Sequence, residues 1–530
     1  MNENKRFLLA LILSFAFVYF YSAWLAKKYS VPDQDKPAGQ ESSKEIQIVP
    51  TGKNFDVIIS PDDYLQVAHN NLFKFKVTRT GGLLTGIELL KHKTSAEDSS
   101  PFRLVSDENQ SFMLGLEVNG EFDNTSYSIK NTNLEQGVTS ISLVNSNSTI
   151  EKIISFEENS YLIRAKIRSS QPFTIIFKGF NGERASRYNL KNVVLATEAN
   201  KIKRQPFGSE PTRVKGLFGL GFESLYFSVF AQSPVRLKEG YVNTGSENEP
   251  MFSLTPYPEK KELELSIFVG PKESKSLEPL GEPFKKLLDL GFFAILAEPI
   301  LKILIWLGSI FGNYGVAIVV LTVIIRLIFY PLSAIAYSAM EKMKALQPEI
   351  EKLRNQYQND QQTLHRELIL LYQKRGVNPF SGCLPILVQI PIFFGLYSAL
   401  LHAVELRLSP FFGWIKDLSQ PDYIFLGPIP IPVLTLIFGA SFIYQQKLNP
   451  PQLTDPAQEA VFKWLPYIFL ALFIIFPMPS GLILYWLVNN ISSISQQLLT
   501  KKFFIKNRFI LNLLLNLTLV ALSIFLAYLS

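Results

Sequence analysis

The sequence predicts a polytopic α-helical membrane protein that carries a large extracytoplasmic antiparallel β-sandwich domain. Three observations support this. An apolar run without charge lies at residues 7–25 and further apolar runs recur from Leu288 onward, most of them long enough to cross a ~30 Å hydrocarbon core. Between about 51 and 280, short stretches alternate apolar and polar residues with the period of half-buried strands. The loops between the apolar runs share out their basic residues very unevenly.

In chain order, residues 1–28 read as an amino-terminal transmembrane anchor. "FLLALILSFAFVYFYSAWL" follows Lys5 and Arg6 and exceeds the apolar core of a cleaved signal peptide. Lys27 and Lys28 match that charge on the other side, so the anchor does not orient itself. Residues 29–50, rich in Pro, Gln, Ser, Lys and Glu, read as a linker. From 51 to 280, "FKFKVTRTGGLLTGIEL", "SYSIKN", "TSISLVN", "KIISFEENSYLIRAKIRSS" and "ELELSIFVG" predict many short strands, with Gly81-Gly82 as a turn. One cysteine, Cys383, excludes an internal disulfide, and four scattered histidines and no Gly-rich phosphate loop suggest neither metal, cofactor nor covalent catalysis.

Residues 284–500 predict a five-span core. Glu298–Phe311, with Lys302 inside it and Gly312-Asn313 after it, reads as an interfacial helix. The spans follow at Tyr314–Leu332, Cys383–Leu401, about Tyr423–Tyr444, Val461–Phe476 (a short one) and Ser480–Leu499. Residues 501–530 supply a basic segment and an extra span, Phe509–Leu529. With the β-domain outside, the inner segments hold Lys342, Lys344, Lys352, Arg354, Arg366, Lys374, Arg375, Lys447, Lys463, Lys501, Lys502, Lys506 and Arg508, and the outer loops only Arg407 and Lys416. The net charge of +7 is thus accounted for by inner loops and needs no specific nucleic acid. Within inner segment 333–377, Met343, Leu346, Ile350, Leu353 and Tyr357 face Leu364, Leu368 and Leu371 across an Asn359-Asp360 turn, and Gly376 ends the second helix. This predicts a zipped helical hairpin, either spacer or docking element.

The chemistry centres on Arg326 in "VVLTVIIRLIFYPL". A charge at the middle of a span costs roughly 2.5–3.5 kcal/mol or more, and no predicted bundle span contains Asp or Glu to pair with it. Its counter-charge has to come from water, lipid phosphate or a visiting substrate. Thr322, one turn earlier, shares its face. Gln389, Tyr485, Trp486, Asn489 and Asn490 are the other polar or aromatic groups that could line the same cavity, each also explicable as ordinary interhelical packing.

The motifs "NYGVAIVVLTVIIRLIFYPL", "MEKMKALQPEIEKL", "GVNPFSGCLPILVQIPIFFGLY", "VELRLSPFFGWIKDLS" and "PSGLILYWLVNNISSISQQ" resemble, in order, the YidC/Oxa/Alb family of membrane protein insertases. The anchor plus external β-domain is similar to its Gram-negative YidC form. The resemblance implies a non-enzymatic insertase and chaperone of the inner membrane, with no cofactor. Its hydrophilic groove, closed on the outer side, would receive the polar tail of a nascent membrane protein, with Arg326, Thr322 and Trp486 matching the groove residues. Implied partners are nascent membrane proteins, the Sec translocon for larger substrates, the ribosome and targeting machinery, and membrane lipids. The extra span departs from the family's usual basic cytoplasmic tail and puts a tail-mediated ribosome contact in doubt. Two competing readings are an anion transporter or channel using Arg326, which would move a solute and insert nothing, and an anchored carbohydrate-active enzyme, which would depend on 51–280 and not on Arg326.

Overall fold

A computed structural model describes residues 63–529 except 96–97, 108–110, 183–190, 209, 246–249, 359, 377–383, 449–455 and 503–507. The anchor at 1–28, the linker at 29–50 and Cys383 lie outside the described residues. The chain divides between Leu288 and Asp289 into two compact units.

The first unit is two antiparallel sheets. A ten-stranded sheet runs from Tyr64–His69 at one edge to Thr212–Lys215 at the other, and a nine-stranded sheet from Lys201–Pro206 to Tyr127–Glu135. Strict alternation makes this possible. Ile150–Glu157 buries every second residue, so one face of the strand enters the core. Aromatic pairs bridge the sheets: Phe102 stacks on Phe227 at 4.4 Å, Phe75 meets Phe156 edge-on at 5.4 Å and Phe252 meets Phe222 at 5.0 Å. The predicted Gly81-Gly82 turn has positive φ at both residues (71° and 51°), backbone that favours glycine.

That turn meets a buried cation. Lys152 is fully buried, and its ammonium donates to the carbonyls of Gly81 (2.6 Å), Leu114 (2.7 Å) and Gly82 (3.2 Å) while lying 4.9 Å from the Tyr127 ring. Burial pushes the Lys152 ammonium down to about 7. At the end of the unit, Arg204 pairs with buried Glu223 (2.7 Å) and also donates to the carbonyls of Lys286 and Leu287, tying the last turn before Leu288 onto the sandwich.

The second unit is helical. α1 (Ala294–Phe311) and α2 (Tyr314–Ile328) pack together, and Asn313 caps α2 by accepting from Val316 N at 3.1 Å. α3 (Tyr330–Ala345) restarts at Pro331, which has no N–H to continue the ladder, so the predicted span Tyr314–Leu332 ends early. Arg326 therefore sits in the last turn of α2 and not mid-helix. There the carbonyl end of the helix dipole favours a cation by about 0.3–1 kcal/mol.

α4 (Gln347–Gln356) and α5 (Gln361–Arg375) form the predicted hairpin around Leu346, Ile350 and Leu368, with Met343, Leu353, Leu364 and Leu371 against them. Asp360 caps α5, and Gly376 ends it in the left-handed conformation (φ 61°). α6 (Leu384–His402) follows. The run predicted as a span from Tyr423 is different: Ile424–Leu426 and Ile429–Ile431 pair as a β-hairpin, and only α7 (Val433–Leu448) is helical. Pro428, Pro430 and Pro432 cannot supply helical N–H groups, which excludes the longer helix. α8 (Pro456–Ile475) begins before the predicted Val461 and includes Glu459 ahead of its apolar part. α9 (Ser480–Lys502) and α10 (Arg508–Tyr528) complete the unit, α10 packing on both α2 and α9. By length and apolar character, Ala294–Phe311 and Ile510–Tyr528 are each long enough to cross a membrane.

Candidate functional site

α9 organises the interior of the helical unit because its polar residues recur every fourth position. Tyr485, Asn489 and Ser493 fall on one face, and that face meets Arg326 of α2. The guanidinium donates from Nε to Asn489 Oδ1 at 2.7 Å, from Nη2 to the Asn489 carbonyl at 2.9 Å, and from Nη2 to Ser493 Oγ. The Tyr337 hydroxyl of α3 and the Tyr485 hydroxyl also interact with it, and Gln389 of α6 hydrogen-bonds Tyr485. Among the described residues no carboxylate faces Arg326.

Beside the guanidinium lies a cavity of about 30 Å³, bounded by Arg326, Phe329, Ser333, Gln389, Ile392 and Asn489. A water needs roughly 10–15 Å³ on this measure and two or more polar partners, so the cavity can be wet. Its polar wall consists of neutral acceptors and one cation. Such a site can hold one or two waters or a small polar group beside a cation and favours a negative group there; among the described residues it shows no nucleophile or general base positioned for covalent chemistry.

The end of the unit at which α2 and α9 begin is closed by the segment between α6 and the β-hairpin. Asn313 Nδ2 donates to the Phe411 carbonyl at 3.0 Å, and the Ser480 and Gly481 amides that open α9 donate to the carbonyls of Gln420 (2.8 Å) and Leu418 (2.9 Å). Gly315 leaves room for the Phe411 ring: a Cβ there would lie 2.1 Å from it. One loop thus accepts from the first two amides of α9 and holds the Asn313 side chain that caps α2.

Of the residues singled out from sequence, Arg326, Gln389, Tyr485 and Asn489 come together. Thr322 does not line the cavity. It is 1% exposed, and its hydroxyl donates to the Ile318 carbonyl of its own helix at 2.6 Å. Trp486 points elsewhere too, stacking on Phe473 (4.8 Å) and Phe393 (5.7 Å) and meeting Phe438 (5.7 Å), one ring each from α8, α6 and α7. Asn490 donates to Ser441 of α7 at 3.1 Å. Ser493 and Tyr337 are site residues that sequence reading missed. The signal for Ser493 was its place four residues after Asn489; Tyr337 had none.

Residues 306–507 match the family described as 60Kd inner membrane protein, and residues 66–171 and 231–303 match the YidC periplasmic domain. The chain is 31% identical to the membrane protein insertase YidC of Magnetococcus marinus, across 93% of this chain and 98% of that one. The corresponding protein of Lawsonia intracellularis is 30% identical with the same coverage, and that of Geobacter sulfurreducens 41% identical over 52% of each chain. Among solved structures, an active YidC insertase with its first transmembrane domain resolved covers 84% of this chain and 94% of its own, at 19% identity and a TM-score of 0.38.

Proposed function

The chain belongs to the YidC family of membrane protein insertases, and from that premise we propose that the cavity at Arg326 receives the polar tail of each incoming substrate. The protein is a non-enzymatic insertase of the inner membrane with a periplasmic β-domain, and its substrates are membrane proteins. What remains is how this chain's residues lower the barrier to insertion.

A polar tail entering hydrocarbon loses hydration at a cost of several kcal/mol per unsatisfied group. Arg326, Asn489, Ser493, Gln389, Tyr485 and Tyr337 replace part of that hydration inside the bundle. The single observation that carries this reading is the set of partners around Arg326, all of them neutral. Its charge is held in place without being cancelled, so Asp or Glu in a passing tail completes an ion pair for which the described residues supply no carboxylate. The pair is transient, since the substrate's apolar segment leaves sideways into lipid and its burial drives the step without nucleotide. α2 and the apolar part of α8 are short, about 20 Å at 1.5 Å per residue, which favours a locally thinner bilayer and a shorter polar path.

We assign Thr322 a packing role beside this site and Trp486 the part of an aromatic brace between four helices. The Sec translocon, the ribosome and the targeting machinery are proposed partners, supported by family membership. The test is reconstitution with a small single-span substrate carrying an acidic translocated tail. Arg326→Ala should insert it poorly, and neutralising the acids of the tail should remove most of the difference between the variant and the wild type. Equal insertion in every arm would end the electrostatic account.

A further inference from the structure

The loop between α6 and α7 carries a feature that insertion through the cavity does not use. From Ile424 to Val433, "IFLGPIPIPV", no side chain can make a hydrogen bond, yet the segment is a formed β-hairpin with pairs Ile424–Ile431, Phe425–Pro430 and Leu426–Ile429. Its tip is bare: Phe425, Leu426 and Ile429 are 67%, 63% and 62% exposed. Side chains alternate between faces along a strand, so Phe425 on one face and Leu426 and Ile429 on the other leave both faces apolar and uncovered. A hairpin made to lie on a protein surface would show one apolar face and one polar face. This one has the character of an element surrounded by hydrocarbon.

The backbone agrees. In an antiparallel pair, hydrogen-bonded and non-hydrogen-bonded positions alternate, and the middle pair next to a two-residue turn is the one whose amides point outward. Here that pair is Phe425–Pro430, so one of its two outward donors is missing by residue choice. Pro428 removes a further donor from the turn, opened by Gly427 at φ 64°. Fewer unpaired amides lower the cost of leaving water. The feet of the hairpin are fixed: buried Asp422 accepts from Leu434 N at 2.6 Å and from Trp414 Nε1 at 3.2 Å, clamping the chain before the hairpin to the start of α7. Tyr423 lies at the base, its ring 6.3 Å from Phe425, and the apolar surface continues into Leu436 and Ile437 of α7. Aromatic residues of this kind are enriched at the bilayer interface.

We propose that the 424–431 hairpin is a lipid-embedded wedge, its tip immersed in the outer leaflet at the headgroup–acyl boundary. The occupant of this surface is lipid, not a partner protein. The wedge would pin the outer end of α7 at a fixed depth, beside the loop that holds the starts of α2 and α9.

The single cysteine makes the test direct. In full-length Cys383→Ala protein reconstituted into phospholipid vesicles, Leu426→Cys carries an environment-sensitive fluorophore, with Lys416→Cys as a water-exposed reference and Ile437→Cys as a lipid-facing one. The expected result is a blue-shifted emission at 426, with intensity lost to lipids spin-labelled near the head of the acyl chain more than to lipids labelled near its end, and protection from iodide. Iodide quenching equal to that at 416 would overturn the proposal. So would a blue shift without quenching by either lipid, which means protein covers the tip. Should Leu426→Cys not fold, Ile429→Cys reads the same depth from the other strand.

Discussion

Arg326 reaches across 163 residues of sequence to Asn489, and that contact separates the side chains that hold the cation from those that only flank it. Hydrogen bonds to a charged group are worth about 1.5–3 kcal/mol, so Asn489→Leu should slow insertion of an acid-tailed substrate by roughly 10- to 100-fold if the guanidinium's position limits the step. Thr322→Val should differ: the hydroxyl spends its proton on the Ile318 carbonyl, valine fills nearly the same volume, and the change should stay under about 1 kcal/mol. Insertion rates of the two variants against one substrate check both, and a Thr322→Val defect as large as that of Asn489→Leu would refute the assignment. In the β-domain, Lys152 couples stability to pH. Burial lowers the folded ammonium to about 7 from an ordinary 10.5, so the unfolded chain binds more protons throughout that interval. Stability of the sandwich should therefore rise with pH from about 7 to 10.5, the penalty being complete below that window. Thermal melts across the window should show this slope in the wild type and its loss in Lys152→Met, which also strips three carbonyls of their donor.

Elements differ in how much of them could be read from sequence, and the reason is the range of the interactions that decide them. The hairpin α4–α5 was legible because its period of three and four is local and its stops, Asp360 and Gly376, are single residues with one conformational role. The sandwich was legible through alternation, although strand order depends on pairings that sequence does not state. The 424–431 hairpin was not read, because a short apolar run rich in Ile and Leu fits helix and strand alike. Its two prolines, with Pro432 directly after it, were the available cue. The site was half legible: Arg326, Gln389, Tyr485 and Asn489 carried the polarity, whereas Ser493 and Tyr337 enter only when α9 and α3 are folded against α2. The same locality gives a prediction for α4–α5. Leu346, Ile350 and Leu368 are its buried centre, so Ile350→Asp should cost about 2–4 kcal/mol and unzip both helices. Glu349→Gln breaks only the exposed pair with Arg375 and should cost under about 1 kcal/mol. Amide exchange over 347–375 should accelerate in the first variant and hold in the second.

At the scale of the whole chain, the balance of charge and the carboxyl-terminal helix have to agree on one topology. The positive-inside rule puts the basic residues of 333–380, 445–463 and 500–508 on the inner side, and on that expectation α10 begins there and, at 21 residues or about 31 Å, is expected to end outside. Two asparagines within it would weaken a lone span. Here both are buried, under 5% exposed, and Asn516 forms the cross-link: it accepts from Ser492 of α9 at 2.8 Å and donates to Asn512 of its own helix at 2.8 Å. Each such bond contributes about 0.6 kcal/mol in a membrane bundle, rising to ~1.7 at most, so packing against α2 and α9 supplies the rest. The prediction is that, in a Cys383→Ala background, a membrane-impermeant thiol reagent applied to the outer face labels Ser530→Cys and leaves Lys501→Cys untouched. Labelling of both from the inner face alone would mean that α10 lies along the surface, and Asn516 would then have to leave its contact with Ser492. Asn512→Leu with Asn516→Leu separates docking from spanning: the terminus should stay outside, because a more apolar helix crosses more readily, while hydrogen exchange at the α9 face around Ser492 should rise.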